Sequence, residues 1–228
     1  MKILLTGGSG FVGRHLVNVL GSDDLVLLGR SPAHNFTGTW FCSEINGKSN
    51  FSECLRGIDI VVHCAGRAHI TTEINSDPVE MYRAINCQGT ENLAKQAAIA
   101  GVKRFIFIST IKVLGEKTEP GRAFRNDDGF NPQDPYSISK VEAELALKLI
   151  GEAHDMEIVI IRPPLVYGQG VKGNFASLLK LAQLPVPLPF GSIRNKRSLV
   201  SVENLVDLIV ICLNHPNAKN QTFLVSDD

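Results

Sequence analysis

Thr6-Gly7-Gly8-Ser9-Gly10-Phe11-Val12-Gly13 is the stretch that decides the fold of this chain. Before it, Lys2 to Leu5 is a short, apolar, β-rich run; after it, Val12, Leu16 and Leu20 recur every four residues, the period of an amphipathic helix that Gly21 can end. A strand, a glycine turn and a helix in that order set free N–H groups at a helix N-terminus, where they favour an anion. The GxxGxxG spacing supplies the tight turn, close backbone approach to a pyrophosphate and close packing of the helix. Gly7, Gly10, Phe11, Val12 and Gly13 are therefore expected to hold a dinucleotide.

Outward from this unit, β-rich runs at Leu25 to Leu28, Ile58 to His63, Arg104 to Ile108, Glu157 to Ile161 and Thr222 to Val225 alternate with helix-like segments. That alternation predicts an α/β fold with a doubly wound, Rossmann-type parallel sheet. One helix is expected to begin at Asp77-Pro78, a capping residue followed by proline, and to run toward Gly101. Another starts near Tyr136 and continues through VEAELALKLI. Pro185, Pro187, Pro189 and Gly191 mark irregular structure leaving the sheet. The expected division is a dinucleotide-binding domain over 1–167, part of a small C-terminal substrate-binding lobe over 168–196, and a segment over 197–228 that returns to the first domain, with the lobe incomplete.

The 228 residues are 44% hydrophobic, enough for a sizeable core, and carry 23 Lys+Arg against 23 Asp+Glu. Zero net charge gives no general pull toward nucleic acid, which is not an expected partner. The longest strongly apolar stretch, Leu205 to Leu213, is interrupted by Asp207 and falls far short of the ~20 residues a spanning helix needs. Membrane insertion is not expected, and the glycine cluster at the N-terminus does not read as a signal peptide. A soluble, cytoplasmic protein is the expectation. Five cysteines without CxxC or metal-ligand spacing predict neither a disulfide scaffold nor a metal site.

At the end of the second strand, where a carboxylate would meet the ribose 2'-hydroxyl of NAD, the chain has Gly29-Arg30-Ser31. Arg30 can pair with a 2'-phosphate, so NADP is the expected cofactor and NAD the alternative. Tyr136-Ser137-Ile138-Ser139-Lys140 puts a phenol and an ammonium four residues apart on one helical face, where the cation favours phenolate. Ser109-Thr110 lies at the C-terminal end of a strand, where open α/β sheets place their sites.

These elements, in this order, resemble the extended short-chain dehydrogenase/reductase family, in its branch that modifies nucleotide sugars. HCAG from His63, INCQGTENL around Asn86, RPPLVYGQG from Arg162 and RSLVSVENL from Arg197 extend the likeness over the whole chain. The resemblance implies Tyr136 as acid/base and Lys140 as the group that lowers its pKa and holds the nicotinamide ribose. It implies Ser109 on the reacting oxygen, with Thr110 as neighbour or substitute on the substrate side. Glu44 and Ile45 fall where the family has Asp and an aliphatic residue near the adenine, a mild departure. Cys64, Ala65, Gly66, Asn86, Pro163 and Val166 would line the cofactor. Asn174 and Arg197 would meet the diphosphate of a nucleotide-diphosphate sugar. Relatives also imply a homodimer through the helices near Pro78 and Tyr136.

Dehydratases of the family carry an Asp-Glu pair after the Ser-Thr, whereas this chain has Ile111-Lys112, which disfavours dehydration. The leading expectation is reduction of a UDP-4-keto-6-deoxy-hexose or hexosamine at C4, in bacterial surface-polysaccharide synthesis. The alternative is a UDP-hexose 4-epimerase acting on UDP-glucose or UDP-N-acetylglucosamine. Two further readings are an NADP-dependent ketone reductase of another substrate class and an NADP-binding regulatory protein.

Overall fold

The computed structural model describes residues 1–67, 78–119, 121–171, 174–183 and 195–227. The glycine turn joins β1 (Ile3–Thr6) to α1 (Phe11–Leu20), and Gly21 ends that helix with its N–H on the Val17 carbonyl. β2 (Leu25–Gly29), β3 (Thr39–Cys42) and β4 (Ile60–His63) follow. α2 (Pro78–Tyr82) then runs through a π-helical turn, Arg83–Gly89, into α3 (Thr90–Ile99). Asp77, the expected cap, lies outside the described residues. β5 (Arg104–Ile108), α4 (Pro135–His154), β6 (Glu157–Arg162), β7 (Leu165–Tyr167), α5 (Asn174–Ala182), β8 (Leu199–Ser201), α6 (Val202–Asn214) and β9 (Thr222–Leu224) complete the order.

Seven strands form one parallel sheet in the order β3-β2-β1-β4-β5-β6-β9, and β7 pairs with β8 in a separate two-stranded parallel sheet. The doubly wound Rossmann-type fold is as the sequence predicts. β1, β4, β5 and β6 are apolar runs buried on both faces, which is what a covered parallel sheet requires. One face packs Leu5, Val62 and Ile161 against Leu16 of α1 and Leu205 and Ile209 of α6. The other packs Leu4, Val61 and Phe105 against Leu93 of α3 and Leu147 of α4. Among the described residues no helix is long and apolar enough to cross a membrane.

Three strands escaped the sequence reading. β3 is a largely exposed edge strand of four residues, and β7 and β8 are three residues each. Of the expected substrate lobe, 172–173 and 184–194 lie outside the described residues. β9 pairs with β6, and α6 packs on α1.

Candidate active site

The strand order reverses between β1 and β4, and the crevice at their C-terminal ends is where such sheets bind ligands. It is made of backbone. Gly7 has φ +72°, and a Cβ there would stand 2.7 Å from the Ala65 nitrogen. A Cβ on Gly13 would stand 2.1 Å from the Gly7 carbonyl oxygen, so helix and turn touch directly. α1 has no side-chain cap, which leaves its first-turn N–H groups for an anion. Gly7, Gly10, Phe11, Val12 and Gly13 thus form a cradle that fits a dinucleotide pyrophosphate, with Ala65 as its facing wall.

Beneath this wall runs a buried polar chain that sequence reasoning missed. Thr90 Oγ1 donates to the Asn86 carbonyl at 2.7 Å, so toward His63 Nε2, 2.8 Å away, it accepts. His63 Nδ1 then accepts from Thr6 Oγ1 at 2.6 Å, and that oxygen accepts the Ala65 N–H at 3.2 Å. This pattern fixes one neutral imidazole tautomer. Burial, and then the Lys140 charge, push His63 down to about 3.

Asn86 joins the wall to the catalytic helix. Its Oδ1 accepts the Arg67 N–H at 2.8 Å, and its Nδ2 donates to the Arg67 carbonyl and to Ser139 Oγ. Ser139 Oγ in turn donates to the Tyr136 carbonyl at 2.7 Å. Asn86 is wholly buried in the π-helical turn and supports the site as a bridging amide.

α4 starts at a capping box in which Asp134 accepts the Ser137 N–H and Ser137 Oγ reaches back, with Pro135 in the first turn. This fixes the entry angle of Tyr136. One turn on, Lys140 Nζ donates to the Ile108 carbonyl at 2.7 Å and lies 4.1 Å from the Phe107 ring centroid. Burial pulls the Lys140 ammonium down to about 8, against the opposing charge of Glu144. Tyr136 is half-buried, and burial, with Asp134 and Tyr82 nearby, pushes its phenol up to about 12. The Lys140 ammonium is held by the Ile108 carbonyl and the Phe107 face, and burial, ahead of the two acidic neighbours, raises the phenol.

Ser109 is tied to a buried carboxylate. It is 4% exposed and donates its hydroxyl to Glu144 Oε1 at 2.5 Å. Glu144 is fully buried and forms a forked ion pair with Arg162, with Nη2–Oε2 at 2.7 Å and Nε–Oε1 at 3.1 Å. Thr110 is the half-buried hydroxyl of the pair; its oxygen accepts the Lys112 N–H at 3.3 Å, leaving its own proton to donate. Glu144 and Arg162 were not singled out from sequence, although Glu144 follows Lys140 by four residues and so shares its helical face.

The remaining expected residues are spread around this centre. Cys64 and Ala65 are half-buried and Gly66 is exposed at the crevice. Burial pushes the Cys64 thiol up to about 12. Ile45 packs beside the core, while Glu44 is exposed and its carbonyl accepts the Ser49 hydroxyl. Pro163 is buried with its carbonyl on the Ile111 N–H, and Val166 is half-buried in β7. Arg30 is exposed beyond β2, and Arg197 is exposed before β8. Asn174 opens α5, but its side chain lies outside the described residues.

Residues 3–226 match the sequence pattern of the NAD dependent epimerase/dehydratase family. The chain belongs to that family. Within it, the chain is 52% identical over 231 residues to a UDP-glucose 4-epimerase of Vibrio cholerae, an alignment covering 99% of this chain and 70% of the relative. It is 30% identical over 214 residues to N-acetyl-alpha-D-glucosaminyl-diphospho-ditrans,octacis-undecaprenol 4-epimerase of Escherichia coli O157:H7, covering 91% of this chain and 62% of that protein. The structure of UDP-glucuronic acid 4-epimerase from Bacillus cereus in complex with NAD superposes with a TM-score of 0.83 at 25% identity, over 100% of this chain and 79% of that one. The epimerase/dehydratase family consists of NAD-dependent nucleotide-sugar enzymes of the extended short-chain dehydrogenase/reductase type.

Proposed function

We propose that this protein is a UDP-hexose 4-epimerase using NAD, with UDP-glucose or UDP-N-acetylglucosamine as substrate. The observation that carries this reading is the 52% identity, across 99% of the chain, to a UDP-glucose 4-epimerase. It favours the alternative from the sequence over the keto-sugar reductase that led there. Two further features support it. Lys112 Nζ is engaged by Asp134 at 2.8 Å and Glu116 at 3.1 Å, so the position that would carry a dehydratase acid holds a paired cation instead. An epimerase returns the hydride it takes, so it needs no supply of NADPH and no 2'-phosphate recognition.

Bound NAD supplies the hydride acceptor and donor at the sugar C4. Tyr136 takes the proton of the C4 hydroxyl and gives one back after the keto sugar has turned. Thr110 donates to that oxygen, in place of Ser109, whose proton is held by Glu144. Lys140 holds the ribose with its ammonium. Arg197 and Asn174 would meet the diphosphate, Arg by a bidentate contact. Exposed Ile99, Leu145 and Leu149 on α3 and α4 favour a homodimer across these helices.

Incubation with UDP-glucose and no added reductant is expected to yield the C4 epimer without change at the reduced-nicotinamide absorbance. Tyr136→Phe should lower kcat by ~10²–10⁴-fold with NAD binding retained. Thr110→Ala should cost more in kcat than Ser109→Ala. Consumption of NADPH with a UDP-4-keto-6-deoxy sugar, and no epimer from UDP-glucose, would return the reductase to first place.

A further inference from the structure

We propose that Glu144 is a positioning residue, tied to Arg162 and Ser109, that holds Lys140 in place beneath the crevice and favours its charged form. The geometry comes from four elements. Glu144 lies one helical turn beyond Lys140 on α4, Ser109 ends β5, Arg162 ends β6, and the Arg162 guanidinium also reaches the loop before α4. There Arg162 Nη1 donates to the Asn126 carbonyl at 3.3 Å, and its Cζ lies 5.2 Å from the Phe130 ring centroid. The ends of β5 and β6, α4 and the loop before it are thereby joined through Glu144 and its Arg162 partner.

Charge explains why a carboxylate is needed. Lys140 is surrounded by groups that carry no full negative charge: the Phe107 ring and Ile108 carbonyl on β5, and His63 and the Cys64 thiol from β4 and the turn after it. Gly66 adds backbone only, with its Cβ position 3.7 Å from Nζ. Two groups favour the Lys140 ammonium, Glu144 first and Cys64 second, and burial pushes the Cys64 thiol up to about 12. A buried lysine without an anion drifts toward the neutral amine. Glu144 is itself fully buried, and the Arg162 fork and the Ser109 hydroxyl supply the ion pair and hydrogen bond that a buried carboxylate requires. The order of dependence is Arg162 and Ser109 on Glu144, and Glu144 on Lys140. That Lys140 serves cofactor and phenol rests on the epimerase reading above, but its charge state does not.

The test reads Lys140 directly. Protein carrying ¹³C-labelled lysine is titrated by NMR without added cofactor, with Lys140→Arg to assign the signal. Glu144→Gln is expected to lower the Lys140 midpoint by about one pH unit or more. Because Glu144→Gln leaves Arg162 buried and unpaired, the double variant Glu144→Leu/Arg162→Met is made alongside, since apolar replacement of a buried pair is generally tolerated. It should show the same fall. Ser109→Ala, which removes no charge, should move the midpoint by less than about 0.3 unit.

In turnover, both Glu144 variants should approach wild-type kcat at pH 6 and fall behind it steadily toward pH 9, with the KM for UDP-glucose little changed. A midpoint unmoved in a folded double variant, an equal loss of kcat at every pH, or failure of both variants to fold would reduce the pair to structural support and overturn the proposal. A shifted midpoint in a protein that does not epimerise UDP-glucose would uphold this inference and overturn the epimerase reading alone.

Discussion

Two crevices meet at the C-terminal edge of this sheet, and they are built from different materials. Between β1 and β4 the cradle is backbone: Gly7 against Ala65, and Gly13 against the Gly7 carbonyl. Between β5 and β6 it is charge: Ser109, Glu144 and Arg162, with Lys140 one turn away. A backbone cradle binds through N–H groups that every residue possesses, so it is indifferent to most side chains and intolerant of a single Cβ. A charged cradle tolerates changes in volume and fails when one partner loses its charge, because a buried ion left alone costs far more than the pair is worth. The first fits a pyrophosphate. The second, on the proposal above, favours the charged form of Lys140.

The sharpest way to break this comparison is to place a methyl group in the backbone cradle. Gly13→Ala puts a Cβ 2.1 Å from the Gly7 carbonyl oxygen and 2.9 Å from the Gly8 Cα, neither of which is the end of a flexible side chain. Overpacking of this kind costs ~1–3 kcal/mol and sometimes more, which for a chain of this size lowers Tm by several degrees, roughly 2–4 °C per kcal/mol. NAD affinity should fall more than about tenfold as the turn moves off the helix N-terminus. Calorimetric unfolding and NAD titration check both. An unchanged Tm with unchanged affinity would mean the cradle yields more readily than its close contacts imply.

The same contrast explains what was legible in the sequence. The backbone cradle was, because glycine spacing is a local signal: Gly13 and Gly7 touch within one stretch flanked by a strand and an amphipathic helix, and only the facing Ala65 comes from elsewhere. The YxxxK face of α4 was legible for the same reason, four residues being one helical turn. The charged cradle was not. Glu144 and Arg162 are 18 positions apart on a helix and a strand, and only the packing of α4 on β6 brings them together. Missing that pair also left Ser109 and Thr110 undistinguished, since nothing in Ser109-Thr110 itself says which hydroxyl meets the buried carboxylate. β3 was lost for another physical reason: its apolar Trp40-Phe41-Cys42 is too short a run to show a strand's alternation.

One side chain does support the backbone cradle, and pH offers a way to sharpen its role. His63 is pushed by burial to about 3, while an unfolded histidine titrates near 6.5. The folded pKa is the lower one, so the unfolded chain binds the proton first as pH falls, and stability declines from about pH 6.5 toward 3. Between pH 6.5 and 5.5 this one group should remove about 1 kcal/mol. His63→Gln, which keeps hydrogen-bonding capacity but does not titrate, should lose about 1 kcal/mol less over that interval, measured by urea unfolding at the two pH values. Identical losses in both proteins would show that the Thr6–His63–Thr90 chain carries no proton linkage, and that the backbone cradle stands without it.

The smallest effect is expected at the outer rim of the backbone cradle, where Arg30 stands exposed beyond β2. The sequence argued for NADP from this residue, yet the family is NAD dependent and the Bacillus cereus structure carries NAD. An exposed ion pair is worth ~0.2–1 kcal/mol, up to about fivefold in affinity, because solvent screens it and the long side chain loses freedom on binding. Removing the Arg30 guanidinium should therefore weaken NADP by no more than about fivefold and leave NAD unchanged, whereas loss of a buried bidentate phosphate contact would cost far more. Titrating wild type and Arg30→Ala with both dinucleotides at low and at physiological salt separates these cases, since a screened pair weakens as salt rises. A hundredfold loss of NADP affinity that persists at physiological salt would mean that Arg30 closes over the 2'-phosphate, that the rim is a charged cradle like the one between β5 and β6, and that NADP is the cofactor after all.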